Sequence, residues 1–191
     1  MTGIDRPRVE AAVAEILAAI GEDPTRAGLL TTPQRVADAY EELFAGIGQD
    51  PLEPLADRIS LEGHEAEAVI MRDITFRSVC EHHLIPFIGV AHIAYLPGEH
   101  VVGLGRLPRV VEALALRPQT QERLSDEIAD ALVSGLDPRG VLVVLDAVHG
   151  CVTTRGARQS ESSTVTIASR GELADPAARA ELISLIGHGV V

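Results

Sequence analysis

Apolar residues recur every three or four positions near the amino terminus. Val9, Val13, Ile16, Leu17 and Ile20 share one side of a helix that the spacing predicts over residues 7–20, and Gly21 stops the pattern. A second helical period follows in Val36, Tyr40, Leu43 and Phe44, with Thr32 as the expected cap, Pro33 at the first helical position and Gly46 at the end. Residues 48–66 lose all period and are rich in Gly, Pro, Glu and Asp, which reads as a linker or mobile loop.

Beyond residue 66 the period changes. AVIMRDITFRS (68–78) and FIGVAHIAYL (87–96) read as two strands, antiparallel to one another, with PGEH ending the second. Residues 107–117 and 120–135 return to helical spacing, separated by Pro118. In the second of these, Leu124, Ile128 and Leu132 line one face, with Glu122, Asp126 and Asp130 elsewhere. GVLVVLDAVHGC (140–151) and STVTIAS (163–169) are strands again, and a short helix is expected near 176–186. The order ββααββ behind a helical pair predicts an α+β fold, with helices packed on one face of an antiparallel sheet. It divides the chain into a helical region with linker, 1–66, and a sheet-bearing domain, 67–191.

Composition narrows the class. A chain of 191 residues that is 46% hydrophobic can bury a real core. It has no run of about 18 apolar residues, and MTGIDRPRVE lacks the basic start and apolar stretch of a signal peptide, so a soluble cytoplasmic protein without a membrane partner is expected. The formal net charge of -12 argues against a nucleic-acid partner held on a broad basic surface. All 16 Lys+Arg residues are arginines, whose planar fork suits bidentate contact with phosphate.

The candidate chemistry sits in two places. RSVCEHHLIPF (77–87) holds Cys80, Glu81, His82 and His83, and HGC holds His149 and Cys151. Lone cysteines are ordinarily buried as small hydrophobes and lone histidines as satisfied core residues, but here both cysteines lie beside histidines, which argues for a metal. Zinc takes thiolate and imidazole ligands tetrahedrally; three protein ligands leave a position open for chemistry, whereas four make a structural site. Cys80 and His83, three apart on a turning segment, can converge. Cys151 then completes a three-ligand set and leaves His82 and His149 to move protons. A structural site of Cys80, His82 or His83, His149 and Cys151, without catalysis, remains the alternative. His64, His92, His100 and His188 read as surface or core residues.

Several stretches together resemble GTP cyclohydrolase I of the zinc-dependent type: EDPTRAGLLTTPQRVADAYEELFAG, SVCEHHLIPFIGVAHIAYLPG, RPQTQERLSDEIADAL, DAVHGCVTTRG and STVTIASRG. The resemblance runs in order from residue 22 to near the end. It implies the tunnelling fold, with residues 67–191 as its catalytic domain, and a Zn2+ cofactor held by Cys80, His83 and Cys151. It also implies hydrolysis of GTP at C8 of guanine, release of formate and rearrangement to 7,8-dihydroneopterin triphosphate. Purine C8 is a weak electrophile, so the step calls for a metal-activated water and a proton for N7, and the resemblance gives proton transfer to His82 and His149. It gives recognition of guanine to Glu122 beside Gln121, because a carboxylate pairs with N1–H and the 2-amino group, neither of which adenine offers there. Arg155 and Arg109 match positions that face the triphosphate, and Glu81 one that orients or contacts substrate.

The resemblance further implies self-association to a homodecamer of two stacked rings with sites between subunits, which would also cover the free sheet edges of a monomer. One departure stands out. After VVGL the family usually has Ser-Lys, a pair associated with the triphosphate, where this chain has Gly105-Arg106; the charge stays, but its geometry changes and a hydroxyl is lost. The change leaves two alternatives open: a paralogue that stops at a formamidopyrimidine or uses another guanine nucleotide, and a noncatalytic zinc-stabilised oligomer that binds a nucleotide.

Overall fold

The amino-terminal helical periods become α1 (Arg6–Ala19) and α2 (Thr32–Leu43) in the computed structural model, which describes residues 3–64 and 66–187. His188 lies outside the described residues. Asp5 caps α1 by accepting from the Arg8 N–H at 3.2 Å. At α2, Thr32 is already helical and Pro33 is the second helical residue; Thr31 takes the cap position without a side-chain bond. The two helices lie against each other, and Arg6 reaches across to Asp38 and Glu41, each at 2.6 Å.

Much of the aperiodic stretch, over the described residues 48–64, is more ordered than its lack of period suggests. Glu53–Leu55 makes a 3-10 turn whose Leu55 is 1% exposed. This side chain packs so closely on Gly135 that a Cβ there would lie 2.4 Å from Leu55 Cδ1. A single buried anchor generates no repeat, so hydrophobic patterning passes over it. The strand β1 (Arg58–Ser60) follows and pairs antiparallel with residues His100–Val102.

The main sheet begins with β2 (Val69–Cys80) and β3 (Pro86–Leu96), antiparallel as the sequence predicts. After β4 (His100–Val102) come α3 (Arg106–Ala115), β5 (Pro118–Gln119), α4 (Gln121–Leu136) and β6 (Gly140–His149). The chain continues through α5 (Gly150–Thr153) and β7 (Thr164–Gly171) to α6 (Pro176–Ile186). The sheet order is β5-β2-β3-β6-β7, antiparallel throughout except for the short parallel pair of β5 with β2.

Alternation along β6 assigns the faces. Val141, Val143, Leu145 and Ala147 share one core with Leu107, Val110 and Leu114 of α3 and Leu124, Ile128 and Leu132 of α4. Each such side chain taken fully from water contributes about 1.5–3 kcal/mol. Leu142 and Val144 point the other way, where Leu182 and Ile186 of α6 cover one end of the sheet. The rest of that face is open, with Ile88, Val148, Val165 and Ile167 about half exposed. This is the expected α+β architecture, helices packed on one face of an antiparallel sheet, with α6 added behind it. No described helix is long and apolar enough to cross a membrane.

Register then decides what meets at one corner. Phe87 at the start of β3 stands opposite His149 at the end of β6. Cys80 at the end of β2 pairs with Gln119, directly before the capping residue Thr120 of α4.

His92, on β3, is 1% exposed, and its Nδ1 accepts the Asp73 N–H at 3.2 Å, while Nε2 has no partner among the described residues. Burial depresses its pKa below the ordinary 6.5; Asp73 and Asp146 oppose the shift and Arg72 adds to it. The folded chain therefore takes up this proton after the unfolded one. His92 contributes its full stability above pH 6.5 and loses it progressively as pH falls below that value. Urea denaturation at a series of pH values should show stability falling on acidification below 6.5, with a shallower slope in His92→Gln. An unchanged slope in the variant would mean that His92 charges freely in the folded chain.

Candidate active site

The turn joining β2 to β3 gathers the first cluster. The Leu84 N–H donates to the Cys80 carbonyl at 2.8 Å, and the Cys80 N–H to the Ile85 carbonyl at 3.0 Å. Leu84 takes φ +52, the left-handed conformation that lets so short a turn close. Within it the Cys80 Sγ lies 3.8 Å from His83 Nδ1 and 4.0 Å from His82 Nδ1. Cys80 is 7% exposed, whereas both histidines face solvent.

The second cluster arrives at the end of β6. Gly150 packs against the first turn so tightly that a Cβ would sit 2.6 Å from Ile85 Cγ2 and 2.8 Å from the Pro86 carbonyl oxygen. Glycine here allows the two segments to touch. Cys151 follows on α5, and the ligand atoms of Cys80, His83 and Cys151 all lie within 4.8 Å of one another. Two thiols and an imidazole suit zinc, and the set could hold a metal ion with a position to spare. Among the described residues no fourth His, Cys, Asp or Glu joins this group. Burial, reinforced by the neighbouring Cys80 thiol, pushes the Cys151 thiol pKa up, and Arg155 pulls it the other way.

His149 is held away from the metal set by two contacts. Its ring stacks on Phe87, centroids 4.6 Å apart and 5° from parallel. Its Nε2 lies 2.7 Å from Gln121 Oε1. Gln121, 1% exposed, gives both amide hydrogens away, to the carbonyls of Leu145 at 3.1 Å and Thr164 at 2.7 Å. Its Oε1 can therefore only accept, so Nε2 of His149 carries the hydrogen and Nδ1 keeps the lone pair. Burial holds this imidazole below its usual pKa, partly opposed by the Glu122 carboxylate.

Glu122 is exposed in the first turn of α4, where the helix dipole favours a carboxylate. Glu81 accepts from Arg123 Nη2, and this hydrogen bond lowers its pKa. One corner of the chain thus unites Cys80, Glu81, His82, His83, Gln121, Glu122, His149, Cys151 and Arg155. Arg106 and Arg109 are elsewhere in the same chain. Arg106 pairs with Asp57 at 3.4 Å, and Arg109 lines a cavity of about 240 Å³ with Asp50, Glu53 and Glu112.

A GTP cyclohydrolase I profile matches residues 9–187. The chain belongs to the GTP cyclohydrolase I family. It is 67% identical over 189 residues to the GTP cyclohydrolase 1 of Leifsonia xyli subsp. xyli, covering 99% of both chains. It is 54% identical to that of Halalkalibacterium halodurans, over 97% of this chain and 99% of that one. The protein of the same name in Bacillus subtilis is 52% identical, over 97% and 98%.

The stacking and hydrogen bonds around the cluster bring in Phe87, Gln119 and Arg123 as well, and sequence patterning passes over all three. Phe87 reads as strand core, and its pairing with His149 depends on a register that only the folded sheet reveals. Gln119 and Arg123 resemble any solvated polar residue near a helix start.

Cys151→Ser and His83→Ala should each weaken metal binding by more than about 100-fold, judged by zinc content and cobalt(II) titration. His82→Ala should keep full metal content. Equal loss in the His82 variant would contradict the three-residue set.

Proposed function

We propose that the protein hydrolyses GTP at C8 of guanine, releases formate and rearranges the product to 7,8-dihydroneopterin triphosphate, using Zn2+ held by Cys80, His83 and Cys151. One observation carries the reading: a convergent thiol, thiol and imidazole set lies beside a histidine of fixed tautomer and an exposed carboxylate. Bound zinc supplies Lewis-acid activation of water at neutral pH. His149 presents a neutral imidazole whose Nδ1 accepts a proton, with Gln121 and Phe87 fixing the ring. His82, exposed on the turn, is the second proton carrier and serves N7 as the imidazole ring of the base opens.

Glu122 reads the base by accepting from N1–H and the 2-amino group, with Gln121 beside it buttressing His149. Arg155 faces the triphosphate from the segment after α5. Arg106 and Arg109 also serve the triphosphate, and a second copy of the chain brings them to this corner. The half-exposed sheet face with Ile88, Val148, Val165 and Ile167 supports such assembly, to a homodecamer on the family pattern. Glu81 orients the site. A reducing cytoplasm keeps Cys80 and Cys151 available to the metal.

The test is product formation. Zinc-loaded protein given GTP should release formate and, after oxidation, yield fluorescent neopterin. His149→Ala should keep its metal and lose turnover by about 10²–10⁴-fold. Glu122→Ala should lose preference for GTP over ATP. Absence of formate and neopterin, where a control enzyme yields both, would sink the reading; a formamidopyrimidine in the mass spectrum would mean that the reaction stops at ring opening.

A further inference from the structure

Glu81 stands between Cys80 and His82, yet it turns its carboxylate toward α4. There Oε2 accepts from Arg123 Nη2, which also donates to the Pro118 carbonyl at 3.2 Å. The other side of the same guanidinium is held as well, since Arg123 Nε donates to Gln119 Oε1 at 2.8 Å. Gln119 is 1% exposed and gives both amide hydrogens away, to the Leu114 carbonyl at 3.1 Å and to Glu127 Oε2 at 2.7 Å. Its Oε1 is therefore an obligate acceptor. Arg117 donates to the same Glu127 oxygen at 2.8 Å, and the Glu81 N–H donates to the Gln119 carbonyl at 3.0 Å.

The chain of bonds has a direction and two ends. One end is the turn that carries Cys80, His82 and His83; the other is the first turn of α4, where Gln121 and Glu122 directly precede Arg123. An ion pair this exposed contributes little to global stability, so its consequence lies in geometry. A lysine carries its three donors on a single nitrogen and could not present a planar fork to acceptors spaced as Gln119 and Glu81 are.

We propose that Arg123 is a positioning residue: by clamping Glu81 and Gln119 together, it fixes the spacing between the metal-binding turn and the carboxylate that reads the substrate base. Its kinetic consequence rests on the GTP reading above, whereas the clamp itself does not. Glu81 acts through Arg123, and the two form one unit.

The experiment compares Arg123→Gln, Arg123→Lys, Glu81→Gln and the double variant Glu81→Gln/Arg123→Gln in the full-length metal-loaded protein. Arg170→Gln is the control, because it removes ion pairs to Asp126 at 2.9 Å and Asp130 at 2.8 Å on the same helix without touching the metal turn. The readouts are kcat and KM for GTP, and the visible spectrum of the cobalt(II) form.

Arg123→Gln should lower kcat/KM by about 10- to 100-fold, mostly in kcat, and shift the cobalt bands. Arg123→Lys should recover little of this. The double variant should stay within about threefold of Arg123→Gln alone, as residues that act as a unit do. Arg170→Gln should match the wild type. The proposal is overturned by losses that multiply in the double variant, by wild-type behaviour of Arg123→Lys, or by equal damage in Arg170→Gln. A wild type that releases no formate removes the GTP reading instead. The cobalt spectra then decide the clamp, with a shift in Arg123→Gln sustaining it and an unchanged spectrum overturning it.

Discussion

The antiparallel register of β2, β3 and β6 is the constraint on which the rest depends. Cys80 and Cys151 are distant in sequence, and they meet because β2 turns sharply into β3 while β6 ends opposite the start of β3. A slip of one residue between β3 and β6 would turn the core side chains of β6 outward and separate Phe87 from His149. Val141, Val143 and Leu145, buried against α3 and α4, oppose that slip. The same apolar alternation that stabilises the sheet thus sets the geometry of the Cys80, His83 and Cys151 cluster. Gly150 completes the approach, since a larger residue would meet Ile85 and the Pro86 backbone.

Around the cluster, orientation comes from buried amides with no freedom left. Gln121 and Gln119 each give both hydrogens to fixed acceptors, so each oxygen must accept, one from His149 and the other from Arg123. Such pairs convert packing into chemistry. One sets which nitrogen of His149 keeps a lone pair, and the other sets where the Arg123 fork points. A chain whose fixed cations are all arginines can use that fork at more than one place, and Arg170 of β7, bridging Asp126 and Asp130 of α4, is a second instance.

Much of the fold is legible because burial on one side imprints a period. The helices from Arg106 and Gln121 and the strands of the main sheet follow their patterns closely. Leu55, the two-residue β5 and the four-residue α5 do not, because no element so short can carry a repeat. The Cys80, His83 and Cys151 cluster is legible because Cys and His beside one another are chemically conspicuous. Arg123 and Gln119 are not, because their partners Glu81 and Glu127 are assigned by packing. The separation of Arg106 and Arg109 from the cluster is likewise a property of the folded chain, since nothing in their spacing reports that α3 begins beside Asp57.

If Cys80, His83 and Cys151 alone hold the metal, one coordination position stays free for the reacting water. X-ray absorption at the zinc edge of the loaded protein tests this three-ligand set most directly. Two sulfur neighbours, one imidazole and one further light atom that exchanges when GTP is added are expected. A second imidazole that persists with GTP bound would mean four protein ligands, a closed structural site, and would contradict it.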